Sequence, residues 1–140
     1  MPFFATAAEV DCYVGGALRL AAVDPYLGPA LAGAALTVRF ACTDLPVQIT
    51  VDMYDPMTVT CNDTRFNPDV ELSCSADFLD HYMRGERRLV DALADGDVVA
   101  HGRVSKVLKI VPILEQAFPY YRQLVAVTKL TACPKSGAFL

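Results

Sequence analysis

Residues 36–75 read LTVRFACTDLPVQITVDMYDPMTVTCNDTRFNPDVELSCS, and their alternation leaves few folds open. Leu36, Val38, Phe40 and Cys42 fall on one parity, against Thr37, Arg39, Ala41 and Thr43. Val47, Ile49, Val51 and Met53 oppose Gln48, Thr50, Asp52 and Tyr54. Met57, Val59 and Cys61 oppose Thr58, Thr60 and Asn62, and Val70, Leu72 and Cys74 oppose Glu71, Ser73 and Ser75. Side chains on a strand point alternately to the two faces, so each run sends its apolar set to one side. Four such strands make a sheet with one polar face and one apolar face that something else must cover. Asp44-Leu45-Pro46 and Asp55-Pro56 are turn signals that join the first three strands as a meander of hairpins. Residues 62–69 form a longer, polar loop in which Phe66 is the one bulky apolar group.

The cover comes from both flanks. Residues 5–23 place Val10, Val14, Leu18, Ala21 and Ala22 on a rough helical stripe, with Gly15 and Gly16 permitting a kink or a close approach. Residues 25–35, rich in Gly, Pro and Ala, form a helical turn or two or a flap. Beyond the strands, Ser75 reads as a helix N-cap with Asp77 in the first turn. Phe78, Leu79, Tyr82 and Met83 then share one apolar face, and Gly85 ends the helix. A second helix carries Leu89, Val90 and Leu93 inward and stops at Gly96. Residues 97–104 make a fifth strand. A helix from Ser105 must break or kink at Pro112, or restart there, and residues 115–124 continue helically with a second interruption at Pro119. The reading is a single domain over 1–140: a helical segment 1–35, a sheet-and-helix body 36–130 and a loose tail 131–140.

Composition narrows the function. Hydrophobic residues make up 54% of 140, above the usual share, yet no run of about 18 apolar residues occurs, so no membrane-spanning helix is expected. A net charge of -4 argues against a nucleic-acid partner and against steady binding to anionic membranes. The groups Arg84/Arg87/Arg88 and Arg103/Lys106/Lys109 read as solvated helix faces. The start, MPFFATAAEV, lacks the basic and apolar regions of a secretory signal. Five cysteines, three of them on apolar strand parity and none at zinc spacing, read as reduced thiols in a cytoplasmic protein.

The order of elements carries a resemblance. Four strands, a short helix, Arg84-Gly85, a second helix, Asp95-Gly96-Asp97, a strand ending in His-Gly-Arg and a Pro-containing C-terminal helix resemble the sterol-carrier-protein type of lipid-binding domain, including its stand-alone bacterial versions. The matching stretch is DVELSCSADFLDHYMRGERRLVDALADGDVVAHGRVSKVL, residues 69–108. The resemblance implies an α+β fold, a five-stranded, mostly antiparallel sheet with helices over one face. It also implies an apolar tunnel between sheet and helices that takes sterols, acyl chains or similar molecules.

Chemistry in the ordinary sense has little to work with. His81 and His101 read as surface histidines, because Asp80, adjacent to His81 on a helix, would face about 100° away. No serine or cysteine has a nucleophile-elbow setting, and Val14 to Leu18 lacks dinucleotide spacing. Asp52, Asp55, Asp63 and Asp69 are turn formers; no metal and no cofactor is expected. What remains is shape with a few polar handles. Phe40, Val51, Met53, Met57, Val59 and Leu72 are expected as the floor of an apolar pocket, with Phe66 and Met83 adding wall. Three readings follow. The first is a binding module for a lipid or polyketide-like molecule. The second is a cofactor-free cyclase of secondary metabolism, in which the cavity folds a polyene and Tyr13 and Tyr54 polarise a carbonyl. The third is an interaction protein whose threonine-rich outer face forms a homo-oligomer.

Overall fold

The computed structural model describes residues 3–65 and 67–128. Its sheet has five strands, β1 (Leu36–Cys42), β2 (Gln48–Met53), β3 (Thr58–Cys61), β4 (Val70–Cys74) and β5 (Val99–Gly102), in the order β3-β2-β1-β4-β5. Neighbours pair antiparallel except β1 with β4, which run parallel. The β1–β2–β3 meander and the mostly antiparallel, five-stranded α+β architecture are as the alternation implied. The parallel pair arises because the chain leaves the edge at β3 and returns along residues 62–69 to the far side of β1.

The register builds the apolar face in rows. Cys61, Ile49, Phe40, Leu72 and Ala100 stand side by side across all five strands, and Val59, Val51, Val38 and Val70 form the next row. Helical segments lie over this face. α1 (Ala7–Val10) is opened by a capping box in which Glu9 N–H donates to Thr6 Oγ1 while the Glu9 carboxylate accepts from Thr6 N–H. A π-helical turn, Asp11–Gly15, follows, and then α2 (Gly16–Val23). The glycine pair explains the spot. A Cβ on Gly15 would stand 2.6 Å from Asp11 Oδ1 and 3.0 Å from the Arg19 guanidinium, whose ion pair closes across it at 2.7 Å.

The remaining cover is α3 (Leu27–Ala32), α4 (Ala76–Met83), α5 (Leu89–Asp95), α6 (Val104–Leu114) and, after a 3-10 turn at Glu115–Ala117, α7 (Phe118–Thr128). Ser75 caps α4 by accepting from Phe78 N–H at 3.0 Å. The π turn, α2 and α3 pack on the β2–β3 side, and α6 packs on β1. One apolar core runs from Phe4 to Val125.

Several expectations change in detail. Pro112 lies inside α6 without ending it; the break comes later, at the 3-10 turn. Pro119 is the second residue of α7, and the Glu115 carbonyl four residues back accepts instead from Phe118 N–H. β5 is shorter than residues 97–104, because Gly102 turns out at φ +104° with its Cα pressed on the backbone at Asp69, where a Cβ would meet the carbonyl oxygen at 2.1 Å. Val90 does not point inward but is exposed; Leu89, Ala92 and the partly buried Leu93 carry the α5 contact. The outer face of the sheet is not uniformly wet. Arg39 is only 6% exposed, donates from Nε to Thr50 Oγ1 at 3.1 Å and reaches the Asp63 carbonyl at 3.4 Å, because the chain at Asp63 lies against that face. Cys42, Cys61 and Cys74 are free, but Cys12 is disulfide-bonded, so the expectation of five reduced thiols does not hold. Cys133 and the tail expected as loose, 131–140, lie outside the described residues.

Candidate ligand site

The residues expected to line a pocket sit where the strands and helices put them. Phe40, Val51, Met53 and Leu72 are buried under the helices, Met57 nearly so, Val59 is half-buried near the β3 edge, and Met83 is buried on α4. Phe40 and Leu72 are direct cross-strand neighbours, as are Val51 and Val59. Phe66 lies outside the described residues.

The two tyrosines are placed differently from one another. Tyr13 is in the π turn, buried, with its ring 5.3 Å from that of Phe3 and 5.9 Å from that of Phe4. Tyr54 follows β2 at the turn and is 45% exposed, as its outward parity requires.

Polar groups outside the expected site gather on the α4–α7 side. Asp80 is 4% exposed; its Oδ1 accepts from Arg84 Nε and from the Tyr121 hydroxyl, both at 2.7 Å. Burial and then this bond hold the Tyr121 phenol protonated far above its usual range. The Asp80–Arg84 spacing of four on an amphipathic helix was the available signal; its burial was not legible, because it depends on where α7 lands. One residue on, Tyr82 is 2% exposed, stacked on Phe78 (5.8 Å between centroids) and meeting Phe118 edge to face at 5.1 Å. No described group hydrogen-bonds its hydroxyl. Leaving a buried polar group unpaired costs about 1–3 kcal/mol.

Two further polar clusters are structural. Asp24 caps α3 by accepting from Tyr26 and Leu27 N–H at 2.9 and 2.8 Å, and also accepts from the Tyr120 hydroxyl, which ties α3 to α7. That phenol, then the two amides, hold its carboxyl below the usual range. His81 sits between Glu86 (2.7 Å at Nδ1) and Asp77 (3.5 Å at Nε2), and Glu86 foremost raises its pKa. Asp77, Asp80 and His81 bring ligand atoms within 4.8 Å of one another, but Arg84 and Tyr121 already occupy Asp80 Oδ1.

A cavity of about 280 Å³ opens at the β1–β2 turn, lined by Cys42, Leu45, Pro46, Val47, Gln48, Asn62 and Thr64, none of them an expected site residue. Cys42 and Cys74 are register partners there, and burial, chiefly, pushes each thiol up to about 12.

This arrangement, a mixed five-stranded sheet with its apolar face roofed by helices from both ends of the chain, is the sterol-carrier-protein fold. Sterol carrier protein 2 from Yarrowia lipolytica, in its apo form, matches with a TM-score of 0.66 at 16% identity, over 84% of this chain and 98% of that one. The UbiJ-SCP2 ubiquinone synthesis protein matches with a TM-score of 0.60 at 16% identity, over 84% and 95%. Sterol carrier protein 2 from Aedes aegypti, whose solution structure is of its complex with palmitate, matches with a TM-score of 0.55 at 15% identity, over 84% and 98%. No protein-family model matches the chain. No curated protein matches it in sequence.

Proposed function

We propose that this protein binds an apolar small molecule of lipid type between the sheet and its helical roof. The observation that carries this reading is the pair of unbroken apolar rows under α2, α3 and α6, in a fold whose Aedes aegypti example holds palmitate. Phe40, Val51, Met53, Met57, Val59, Leu72 and Met83 form its floor and wall, and Phe66 is assigned to the same wall from sequence. The methionines suit such a site because an unbranched thioether adapts its shape to the occupant. Binding requires the roof to yield, since most of these side chains are closely covered in the structure described.

Cyclisation is the weaker reading. None of the similar structures reported above is of a cyclase. Tyr13 and Tyr54, the phenols it needs, differ sharply in exposure. Among the described residues no helix is long and apolar enough to cross a membrane. A cytoplasmic site of action loses the argument from reduced thiols, since a disulfide at Cys12 fits an oxidising compartment better.

Palmitate titration tests the proposal. A ligand that binds only the folded state stabilises it by about 2.7 kcal/mol at a hundredfold excess over Kd. We expect the melting temperature to climb with palmitate concentration, and native mass spectrometry to detect a complex of one chain with one acyl chain. A melting temperature indifferent to palmitate, sterol and hydrocarbon alike, with no complex detected, would sink the reading.

A further inference from the structure

The buried hydroxyl of Tyr82 has no assigned role in the fold. Its ring is well used, wedged between Phe78 of the same helix and Phe118 at the start of α7. Its oxygen is not: no described group pairs with it, although the residue is 2% exposed. The contrast with Tyr121 is instructive. That phenol, equally buried and also against α4, is satisfied by Asp80. Phenylalanine at position 82 would keep the stacking and avoid the desolvation cost.

We propose that the Tyr82 hydroxyl is the polar contact for a bound apolar molecule that carries one uncharged oxygen head, a hydroxyl or a carbonyl. This deepens the apolar-ligand reading and rests on it. Two features of the surroundings set the chemistry. Burial keeps the phenol protonated, so it is a hydrogen-bond donor throughout the physiological range. Glu115 in the 3-10 turn is near enough to act on it through space, which works against an anionic head. Arg84, two residues on from Tyr82, is already engaged by Asp80. Access is also provided for. Phe118, the ring over Tyr82, is the first residue after the 3-10 turn, and such a turn inside a helical run is a common place for a hinge. A small rotation of α7 about that turn lifts Phe118 and brings the ligand head within reach of the oxygen.

Tyr82→Phe tests this directly. Binding of diphenylhexatriene, an apolar fluorophore without oxygen, is measured first, and hexadecanol, methyl palmitate and hexadecane are then competed against it on both proteins. The expected result is unchanged affinity for diphenylhexatriene and hexadecane, and a loss of about five- to tenfold for hexadecanol and methyl palmitate, the worth of one hydrogen bond. The variant's melting temperature without ligand should equal or exceed that of the parent. Equal affinity of both proteins for all four molecules overturns the Tyr82 role while leaving the apolar-ligand reading in place. A lower melting temperature for the variant also overturns it, because the hydroxyl would then be serving the fold. If the parent binds none of the four, the apolar-ligand reading itself falls, and this inference with it.

Discussion

Asp80 and Tyr121 bind each other in the interior and pull α4 and α7 together. Tyr121→Phe removes the donor and leaves the buried Asp80 carboxylate with Arg84 as its remaining recorded hydrogen-bond donor. We expect a loss of about 1–3 kcal/mol, read as a reduced denaturant midpoint at unchanged slope. Tyr82→Phe, one residue from Asp80, is expected to cost nothing, so the two substitutions measured side by side separate a phenol that serves the fold from one that does not. A loss of the same size in both would remove that distinction. The thiols give a second residue-scale expectation. Cys42 and Cys74, each pushed up to about 12 mainly by burial, are almost wholly protonated at pH 8. Iodoacetamide should therefore label them at least tenfold more slowly in the native protein than in the denatured chain. Equal rates would mean that this end of β1 and β4 opens to solvent.

At the scale of elements, α4 carries a pH dependence at its C-terminal end. Glu86, then Asp77, raise the pKa of His81 above its usual value. A raised pKa in the folded state stabilises the protonated, folded form. The contribution is fully present below about pH 6.5 and is lost as pH rises through the higher folded value. The stability difference between the parent and His81→Gln should therefore be seen at pH 5.5 and vanish by pH 8.5; a difference constant across that range would show that His81 acts by packing alone. Elements were also what the sequence revealed best. Ser75 with Phe78, Leu79, Tyr82 and Met83 marked α4 because a cap and a 3.6-residue stripe coincide there. The strands were readable because apolar residues alternate along each, although only β4 buries one parity cleanly; in β1 and β2, Arg39, Ala41 and Thr50 on the other parity are buried as well. At Pro112 the local signal left a break, a kink or a restart open, and α6 runs on through it, held by the burial of Val107, Ile110 and Leu114. Val90 misled because α5 is short and turns Leu89, Ala92 and, in part, Leu93 to the core, leaving Val90 on the outer side.

For the whole molecule, the fold was legible and the site only partly so. Alternation told that one sheet face needs a roof, and glycines at fixed places pointed to the sterol-carrier arrangement. It could not tell how closely the roof lies, which depends on side chains 80 or more residues apart, such as Asp24 and Tyr120. Nor could it show that Arg39 and Thr50, polar by type and outward by parity, would be covered by the loop that returns from β3. Apolar parity showed which strand residues lie on the covered face; the buried polar groups around it depended on packing between helices distant in sequence.

The place of β1 has a consequence for how the chain assembles. β1 is the central strand, joined to β2 by a short antiparallel connection but to β4 by a parallel pairing across a long stretch of chain. Contacts close in sequence form with little loss of chain entropy, and those across long loops form late. The β1–β2–β3 meander can therefore condense first and offer β1's open edge as a template on which β4, and then β5, dock. On this scheme Val38→Ala and Ile49→Ala slow refolding, whereas Ala100→Gly in β5 chiefly speeds unfolding, which stopped-flow chevrons resolve. The strand at the middle of the finished sheet is then also the seam between an early half of the protein and a late one.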